Sequence, residues 1–564
     1  MKKILVLAIL LLIITTAVNM NKKTDRKAFI NGKIYTVNQA QPYAEAVVIE
    51  KGKIIYVGST AGAEKIIDNT TEIYDLEGKL MLPGFIDSHL HFISGGNYTL
   101  GINLRAAKSR EQFVQILKNY IRERNLNIDK DKNITLSDWI TGGRWDHESW
   151  SEIILPTKDL IDSVTGNVPV FVSRIDGHMG LANSKALELA GINKNTPDPE
   201  GGIILRNPGT GEPNGILKDK AMDLVFNIIP PPTIEDNIKA ALKSLELTAK
   251  LGITSVHDMT QPGELEAYQE LLKEGKLTCR IYSIWPLEHY EDLVYKGITA
   301  GNEKGIISRG ALKGYADGSL GAFTAWFFEP YAQDPSTSGL PMENVSNGNM
   351  EKWVLSADRN RLQICIHAIG DRANSYVLDL FEKAKNENPP WERRFRIEHA
   401  QHLRVQDIPR FGTIPVIASV QPYHCIDDGV WVERRIGKDR TKTTHAYKSL
   451  LDAGSIVAFG TDWPVAPLDP LLSIYAAVTR RTIDGKNPDG WLPEQKLSVE
   501  DAIKCYTING AYASFEENEK GSIEKGKYAD LIVLSDDILS IDPVKIKDVK
   551  VEMTVFNGNI IYRN

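Results

Sequence analysis

The chain has 564 residues, 42% of them hydrophobic and 25% charged, which is the composition of an ordinary globular protein with a large core. Its net charge of −7 leaves no basic surplus, which argues against nucleic acid as a partner. Length alone allows about four domains. It equally allows one barrel of roughly 250 residues or more with insertions, joined to a smaller domain.

The N-terminus has the features of a secretory signal peptide. Lys2 and Lys3 precede an unbroken apolar run from Ile4 to Ile14, and small residues follow up to Ala17. This run is shorter than the about 20 residues that cross a bilayer. We therefore expect residues 1–17 to be removed and the protein to be exported, to a periplasm or the extracellular space. The alternative is an uncleaved N-terminal membrane anchor.

Short strands are predicted at both ends of the chain. Asn-Gly pairs between apolar alternations predict hairpins at Phe29–Val37 and Val555–Tyr562. Chain termini often lie close together in a folded domain. We therefore expect residues 28–80 and 516–564 to form one small β domain, with two independent caps as the alternative.

The middle of the chain, residues 81–515, alternates between helical and strand-like segments. Helices are predicted at 109–124, 233–251, 263–274, 347–359 and 371–386. Short apolar strands are predicted at 168–172, 254–257, 280–283, 312–315, 363–367, 396–399 and 456–462. Strand–helix alternation is typical of a parallel sheet. So many units in one stretch favour a closed (β/α)8 TIM barrel within an α/β fold.

Histidines and one aspartate occur where these apolar strands end. His89 and His91 are two residues apart on the first strand, so their side chains point to the same face. His367, His399 and Asp462 each come at the end of a later strand. Active-site residues of a barrel collect at the carboxyl ends of its strands. Any one of these residues could be an ordinary core residue, but the five together indicate a divalent-metal site.

These segments resemble the amidohydrolase superfamily, which has His-x-His on the first barrel strand, histidines on the fifth and sixth, and an aspartate on the eighth. The finer resemblance is to its YtcJ-like (amidohydrolase-3) branch, which includes N-substituted formamide deformylases. It rests on Gly143-Arg144-Trp145-Asp146, on the segment from His178 to Leu187, on Ala316-Asp317-Gly318-Ser319-Leu320-Gly321, on His367-Ala368-Ile369-Gly370-Asp371, on Ile397-Glu398-His399-Ala400-Gln401 and on Gly460-Thr461-Asp462-Trp463-Pro464-Val465. The superfamily also pairs its barrel with a β-sandwich made from both termini.

The resemblance implies how the histidines and the aspartate would act. His89, His91 and Asp462 would hold one divalent metal, and His367 and His399 a second. One or two metals per chain are therefore expected. Zinc is favoured because the set is rich in imidazole.

In this superfamily a second metal is bridged by a carboxylated lysine, or a glutamate, on the fourth strand. Lys313 is the candidate here, because a lysine near the end of an apolar strand must be neutralised or paired. The alternative is that Lys313 forms an ion pair with Asp317. Lys218 and Lys220 are weaker candidates, since their segment is typical of the start of a helix.

The implied reaction is hydrolysis of a C–N bond other than a peptide bond, in an amide, a formamide or a cyclic amide, by a metal-activated water. Asp462 would take the proton from that water and pass it to the leaving nitrogen. Trp145, His178 and Asp317 are expected to contact a small-molecule substrate. Core packing is the alternative for Trp145, and His424 could lie at the barrel mouth or in a loop.

Two other functions stay open. The same site could hydrolyse an ester or a lactone. The chain could also be a non-catalytic binding or regulatory protein that retains the barrel, although the complete His and Asp set disfavours this.

Overall fold

The computed structural model describes residues 25–126, 134–147, 150–174, 179–199, 202–321 and 323–564. These residues divide into two units. The larger unit comprises the described residues up to His91 together with Leu245–Gln261 and Leu272–Asn564, and the smaller comprises those of Phe92–Ser244 and Pro262–Leu271. The predicted signal peptide, residues 1–17, lies outside the described residues.

An eight-stranded sheet forms the centre of the larger unit. Its strands are parallel and neighbour one another in chain order. They are, from first to eighth, Phe85–Leu90, Ile253–Asp258, Arg280–Pro286, Ile307–Tyr315, Gln363–Ala368, Arg396–His399, Ile417–Val420 and Val457–Phe459. Parallel order with helical crossovers confirms the predicted (β/α)8 barrel.

The barrel closes just beyond the eighth strand, where the chain meets the first. The Asp462 N–H donates to the His89 carbonyl oxygen at 2.7 Å, and the His91 N–H donates to the Trp463 carbonyl oxygen at 2.9 Å. Gly460 makes this approach possible, because a Cβ atom there would lie 2.4 Å from the His89 nitrogen. The closure therefore fixes Asp462 beside the two histidines of the first strand.

Asp87 ties the same two strands together with its side chain. One carboxylate oxygen accepts from the Thr461 N–H at 3.0 Å, and the other accepts from the Thr461 hydroxyl at 2.6 Å. The carboxylate is fully buried, and this burial raises the pKa of Asp87 to about 7. The hydrogen bonds offset part of the cost of removing the carboxylate from water.

Helices lie at all five predicted positions, with ends that differ by no more than two residues. The helices of the described residues are Thr60–Ala63, Phe92–Leu100, Arg110–Glu123, Lys158–Thr165, Ser184–Leu189, Asp223–Phe226, Ile234–Lys250, Leu265–Lys273, Tyr290–Tyr295, Glu343–Ser346, Asn349–Arg359, Asp371–Glu387, Ile408–Thr413, Pro422–Asp428, Val432–Ile436, Tyr447–Asp452, Pro470–Thr479, Val499–Cys505 and Ile508–Ala513. Across the described ranges, no helix combines the length and the apolar character that a bilayer crossing requires.

Two further sheets of the larger unit contain the strands of both chain ends. The first sheet has the order Lys53–Gly58, Ala46–Glu50, Arg26–Ile30 and Glu72–Asp75. The second has the order Asn559–Arg563, Val551–Phe556, Leu531–Leu534, Leu80–Pro83, Lys33–Tyr35 and Tyr43–Ala44. Phe29 and Val47 of the first sheet share a hydrophobic cluster with Leu531 and Val555 of the second. The two termini thus build one β-sandwich.

One of the two predicted hairpins is wrong. The strands on either side of Asn31-Gly32 pair with other strands and belong to different sheets, so the Asn-Gly turn carries the chain from one sheet to the other. Asn31 takes the left-handed backbone that such a turn requires, with φ of 54°. The hairpin at Asn557-Gly558 is confirmed, because Val551–Phe556 and Asn559–Arg563 pair antiparallel.

The smaller unit has a six-stranded sheet of its own. Its order is Gly202–Arg206, Pro213–Asp219, Met179–Ala182, Val170–Arg174, Ile140–Trp145 and Ile102–Asn103. The strand predicted at 168–172 therefore belongs to this sheet and not to the barrel. Its alternate residues face opposite sides of the sheet, where Val172 and Phe171 enter two separate hydrophobic clusters.

We predict that Gly460→Ala destabilises the barrel. The added Cβ would force the eighth strand away from the His89 backbone, and overpacking of this kind costs about 1–3 kcal/mol. Urea denaturation followed by circular dichroism measures the change in the free energy of unfolding. Gly209→Ala is the control, since a Cβ at Gly209 meets no atom within 4 Å. Equal stability of the two variants would contradict the close approach.

Candidate metal centre

Asp462 lies between two groups of histidines at the carboxyl end of the barrel. Its Oδ1 atom is 3.6 Å from His89 Nε2 and 3.5 Å from His91 Nε2. Its Oδ2 atom is 3.9 Å from His424 Nε2. His89, His91 and Asp462 form one group whose ligand atoms all lie within 4.8 Å of one another, and His399, His424 and Asp462 form another.

His424 reaches the centre from the helix Pro422–Asp428, which follows the seventh strand. Sequence reasoning left this residue open between the mouth and a loop, and the structure brings it to the mouth. Its Nε2 atom is buried and has no hydrogen-bond partner among the residues that the structure describes. A buried lone pair or N–H without a partner is costly. Binding of a metal would satisfy it.

The backbone turns sharply at two of the site residues. His399 has a φ of 76° and Asp462 a φ of 58°, both in the left-handed region that side chains other than glycine rarely adopt. These residues stand at the ends of the sixth and eighth strands, where the turn aims their side chains into the barrel. Conformations of this kind cost about 1–3 kcal/mol and concentrate at functional sites.

His367 lies next to this centre, with one of its ring nitrogens in contact with other groups. Its ring centroid is 4.5 Å from that of His399. Its Nε2 atom, however, is 3.0 Å from the Gly318 carbonyl oxygen and 3.5 Å from Asp317 Oδ1. Only Nδ1 of His367 is left for a metal. Burial, with Lys313 nearby, lowers the pKa of His367 to about 3, so its imidazole is neutral.

Glu398 fixes the orientation of the His89 ring through its Nδ1 atom. Its Oε2 atom lies 2.5 Å from His89 Nδ1, and Arg396 contacts the other carboxylate oxygen at 2.7 Å. A proton on Nδ1 leaves the lone pair of Nε2 directed at Asp462. Burial, with Lys313 nearby, lowers the pKa of His89 to about 4, so the imidazole is neutral and able to bind a metal. Neither Glu398 nor Arg396 has measurable side-chain exposure.

Opposing effects set the charge of Glu398. Its burial favours the neutral acid, but Arg396 and His89 hold the pKa of Glu398 well below its usual range. Arg396 also contacts His257 Nδ1 at 2.9 Å, deeper in the barrel. His399 is held in a similar way, since its Nδ1 lies 2.7 Å from the Gln421 side-chain oxygen. The sequence pattern missed these positioning residues because they carry no metal-binding signature.

Lys313 lies at the metal centre, close to His89. Its Nζ atom is 3.4 Å from His89 Nε2, and the residue is 4% exposed. Among the described residues, no carboxylate oxygen lies within the 4.0 Å of an ion pair with Lys313. Burial lowers the pKa of this lysine. Its amine is thus suited to lose its charge.

The alternative ion pair between Lys313 and Asp317 is ruled out by the contacts of Asp317. This carboxylate accepts from the Ile369 N–H at 3.0 Å and from the Trp326 and Gly370 N–H groups at 2.8 Å each. Asp317 thus fixes the loops that follow the fourth and fifth strands. Burial raises its pKa to about 7. Both oxygens of Asp317 thus accept hydrogen bonds from the backbone, and this gives the residue a structural role.

The other two expected substrate contacts belong to the smaller unit by sequence. Trp145 is fully buried in a hydrophobic cluster of that unit, and its indole N–H donates to the Val172 carbonyl oxygen at 2.9 Å. Core packing therefore accounts for Trp145. His178 lies outside the described residues. Lys220, one of the weaker lysine candidates, is exposed and pairs with Asp223.

The donor atoms fit a divalent metal. Neutral imidazoles and an ionised carboxylate are the ligands that transition metals such as zinc accept. Burial alone would raise the pKa of Asp462, but the hydrogen bond from His91 and the nearby histidines hold it well below its usual range. A carboxylate that is ionised away from bulk water is stabilised by a positive charge beside it. A divalent cation would supply it.

The sequence matches the model of the amidohydrolase family over residues 72–562, which is nearly the whole chain. The protein therefore belongs to the amidohydrolase family. The family and the barrel make it a hydrolase with a candidate His and Asp site for a divalent metal.

Curated relatives refine this assignment. LONG AFTER FAR-RED 3 of Arabidopsis thaliana is 36% identical over 90% of this chain and 86% of its own length. The putative amidohydrolase YtcJ of Bacillus subtilis is 34% identical over 94% of this chain and 98% of its own length. The N-substituted formamide deformylase of Arthrobacter pascens is 25% identical over 94% and 97% of the two chains. These matches support the YtcJ-like branch.

A solved structure supports the same fold. The crystal structure of an uncharacterised metal-dependent hydrolase from Pyrococcus horikoshii has a TM-score of 0.76 and 32% sequence identity. The alignment covers 92% of this chain and 99% of that one. The shared architecture thus extends over the barrel and the β-sandwich.

We predict that Glu398→Gln weakens metal binding. The amide no longer compensates the His89 N–H with a negative charge, and changes to such supporting residues typically cost about 10-fold to 100-fold in metal affinity. Competition with a chromophoric chelator measures the dissociation constant without any substrate.

Two further variants make this test specific. Glu387→Gln removes an exposed glutamate, 52% accessible, and should leave the affinity unchanged. Glu398→Asp keeps the charge beside Arg396 but withdraws it from His89, so it should also weaken the metal site. Metal affinity equal to wild type in both Glu398 variants would exclude the positioning role.

Proposed function

We propose that the protein hydrolyses a C–N bond other than a peptide bond, in an amide, a formamide or a cyclic amide. The observation that carries this proposal is the buried carboxylate of Asp462, which lies between two groups of imidazoles. Similarity to N-substituted formamide deformylase supports the choice of bond, at 25% identity over nearly both chains. Ester or lactone hydrolysis at the same site is the competing activity.

Zinc is the metal that we propose. His89, His91 and Asp462 would hold one ion, and His399 and His424 would contribute to a second, with His367 beside them through its Nδ1 atom. When bound, a divalent metal acidifies a water molecule and polarises a carbonyl group. The burial of His89, His399 and Asp462 would limit the access of bulk water and strengthen these electrostatic effects.

Asp462 would act as the proton carrier. Its pKa is held well below the usual range, so at neutral pH the carboxylate is ionised and able to accept the proton of the attacking water. The same residue would pass that proton to the leaving nitrogen. An amine leaves poorly as an anion, so C–N cleavage depends on this second step more than ester cleavage does.

We also propose that Lys313 is carboxylated by CO2. The amine attacks CO2, one proton is released, and a carbamate anion forms on Nζ. The support is a buried lysine, with a lowered pKa, at 3.4 Å from His89 Nε2 and without a carboxylate partner in the described chain. The carbamate oxygens would be further ligands for the metal centre.

Asp462→Asn should lower kcat for an N-substituted formamide by about 100-fold to 10,000-fold, the usual contribution of general acid–base catalysis. It should lower kcat for the matching formate ester by less, because an alkoxide leaves more easily than an amine. Initial rates on both substrates, measured with equal metal content, make the comparison.

The control for this prediction is Asp439→Asn, which removes a carboxylate that is 95% exposed. It should keep the wild-type rates. Unchanged formamide hydrolysis by Asp462→Asn would exclude the proton carrier. Wild-type turnover of esters alone would favour the competing activity.

The carbamate on Lys313 is open to direct detection. After incubation with isotopically labelled bicarbonate, the carbon NMR spectrum of the metal-loaded protein should contain one carbamate signal that Lys313→Ala lacks. Lys352→Ala, at an exposed lysine of the helix Asn349–Arg359, should retain the signal. Absence of the signal from the wild type would leave Lys313 with a purely structural role.

A further inference from the structure

A second carboxylate stands one helical turn beyond the metal centre. The helix Pro422–Asp428 carries His424 near its start and Asp428 at its end. Residues four apart lie on the same helix face, about 6 Å apart at their Cβ atoms. His424 reaches Asp462 across 3.9 Å. A small molecule could therefore span the distance between the candidate metal ligands and Asp428.

Buried neutral groups hold one oxygen of Asp428 in place. Its Oδ2 atom accepts from the Gln401 side-chain N–H at 2.6 Å and lies 3.0 Å from His445 Nε2. Gln401 is 4% exposed and His445 is 2% exposed. The Tyr447 hydroxyl, at 3.1 Å from Nδ1, fixes the other side of the His445 ring. Asp428 is thus held rigidly in one orientation.

The other oxygen of Asp428, Oδ1, has no hydrogen-bond partner among the residues that the structure describes. In the described part of the chain, no lysine or arginine forms an ion pair with Asp428. His445 does not supply a charge either, because burial lowers its pKa well below the ordinary value. The side chain is 14% exposed, so a ligand can reach it.

A positive charge beside Asp428 would therefore stabilise its ionised form. Removing an anion from water without a countercharge is costly, and this burial raises the pKa of Asp428 to about 7. The buried carboxylates Glu398 and Asp530 each have an arginine against them. Asp428, in contrast, has only neutral donors. The missing charge can come from a bound molecule.

We propose that Asp428 binds an ammonium group of the substrate, so that the preferred substrates are amides with a protonated amine a short alkyl chain away from the scissile bond. This specificity rests on the proposed hydrolase function for the identity of the scissile bond. The subsite itself requires only that a ligand anchored at the metal centre extends along the helix Pro422–Asp428 to Oδ1.

Binding of non-hydrolysable ligands tests the subsite separately from catalysis. The probes are ω-aminoalkyl hydroxamic acids and the alkyl hydroxamic acids of equal length, which chelate the metal and differ only in the terminal ammonium or methyl group. Calorimetry on the metal-loaded full chain gives both dissociation constants. At the best chain length we expect the ammonium probe to bind about tenfold tighter, as suits a charge-assisted hydrogen bond.

Variants assign this preference to one side chain. Asp428→Asn should remove the preference while leaving the affinity of the alkyl probe within about twofold, because the amide oxygen can still accept from Gln401 and His445. Asp427→Asn removes an exposed carboxylate of the same helix and should preserve the preference. Asp428→Glu should shift the preference to a shorter probe.

The outcomes separate this proposal from the proposed function. Equal affinity of the two probes for the wild type, at every chain length, overturns the subsite even if formamides are hydrolysed. A preference that survives in Asp428→Asn overturns it as well. A preference lost only in the Asp428 variants supports it, even if no amide is turned over.

Discussion

The contact between the ends of the first and eighth barrel strands is the constraint on which the site depends. Gly460 lets the two backbones approach, and Asp87 binds both the hydroxyl and the N–H of Thr461. The next residue, Asp462, then donates its N–H to the His89 carbonyl oxygen. A carboxylate and two imidazoles therefore meet because the barrel closes at this point.

Burial of charge organises the residues around that contact. Arg396 and Glu398 compensate each other inside the barrel, and together they fix the ring of His89. Asp317 is buried too, but three backbone N–H groups satisfy it. In the described part of the chain, no lysine or arginine forms an ion pair with Asp462 or Asp428, and both stand at the carboxyl end of the barrel. The buried carboxylates of this protein thus differ in the partners that compensate their charge.

The barrel strands were predictable because each is a short apolar run followed by a helix, and both signals are local. The two errors in the predicted strands concern the sheet to which each strand belongs. The turn at Asn31-Gly32 was expected within one sheet but joins two, and the strand at 168–172 belongs to the inserted sheet. The local sequence of an apolar strand does not specify which sheet it joins, because its pairing partners are residues distant in sequence.

By itself, the sequence determined the fold class, the family and the residue types at the strand ends, since periodicity and motifs depend only on neighbours along the chain. Only the tertiary structure decided that His424 joins the centre, that Glu398 contacts His89 and that no described lysine or arginine pairs with Asp428. It also gave Asp317 and Trp145 internal partners. Hydrogen bonds and charge compensation are contacts between segments far apart in sequence, and folding alone brings them together.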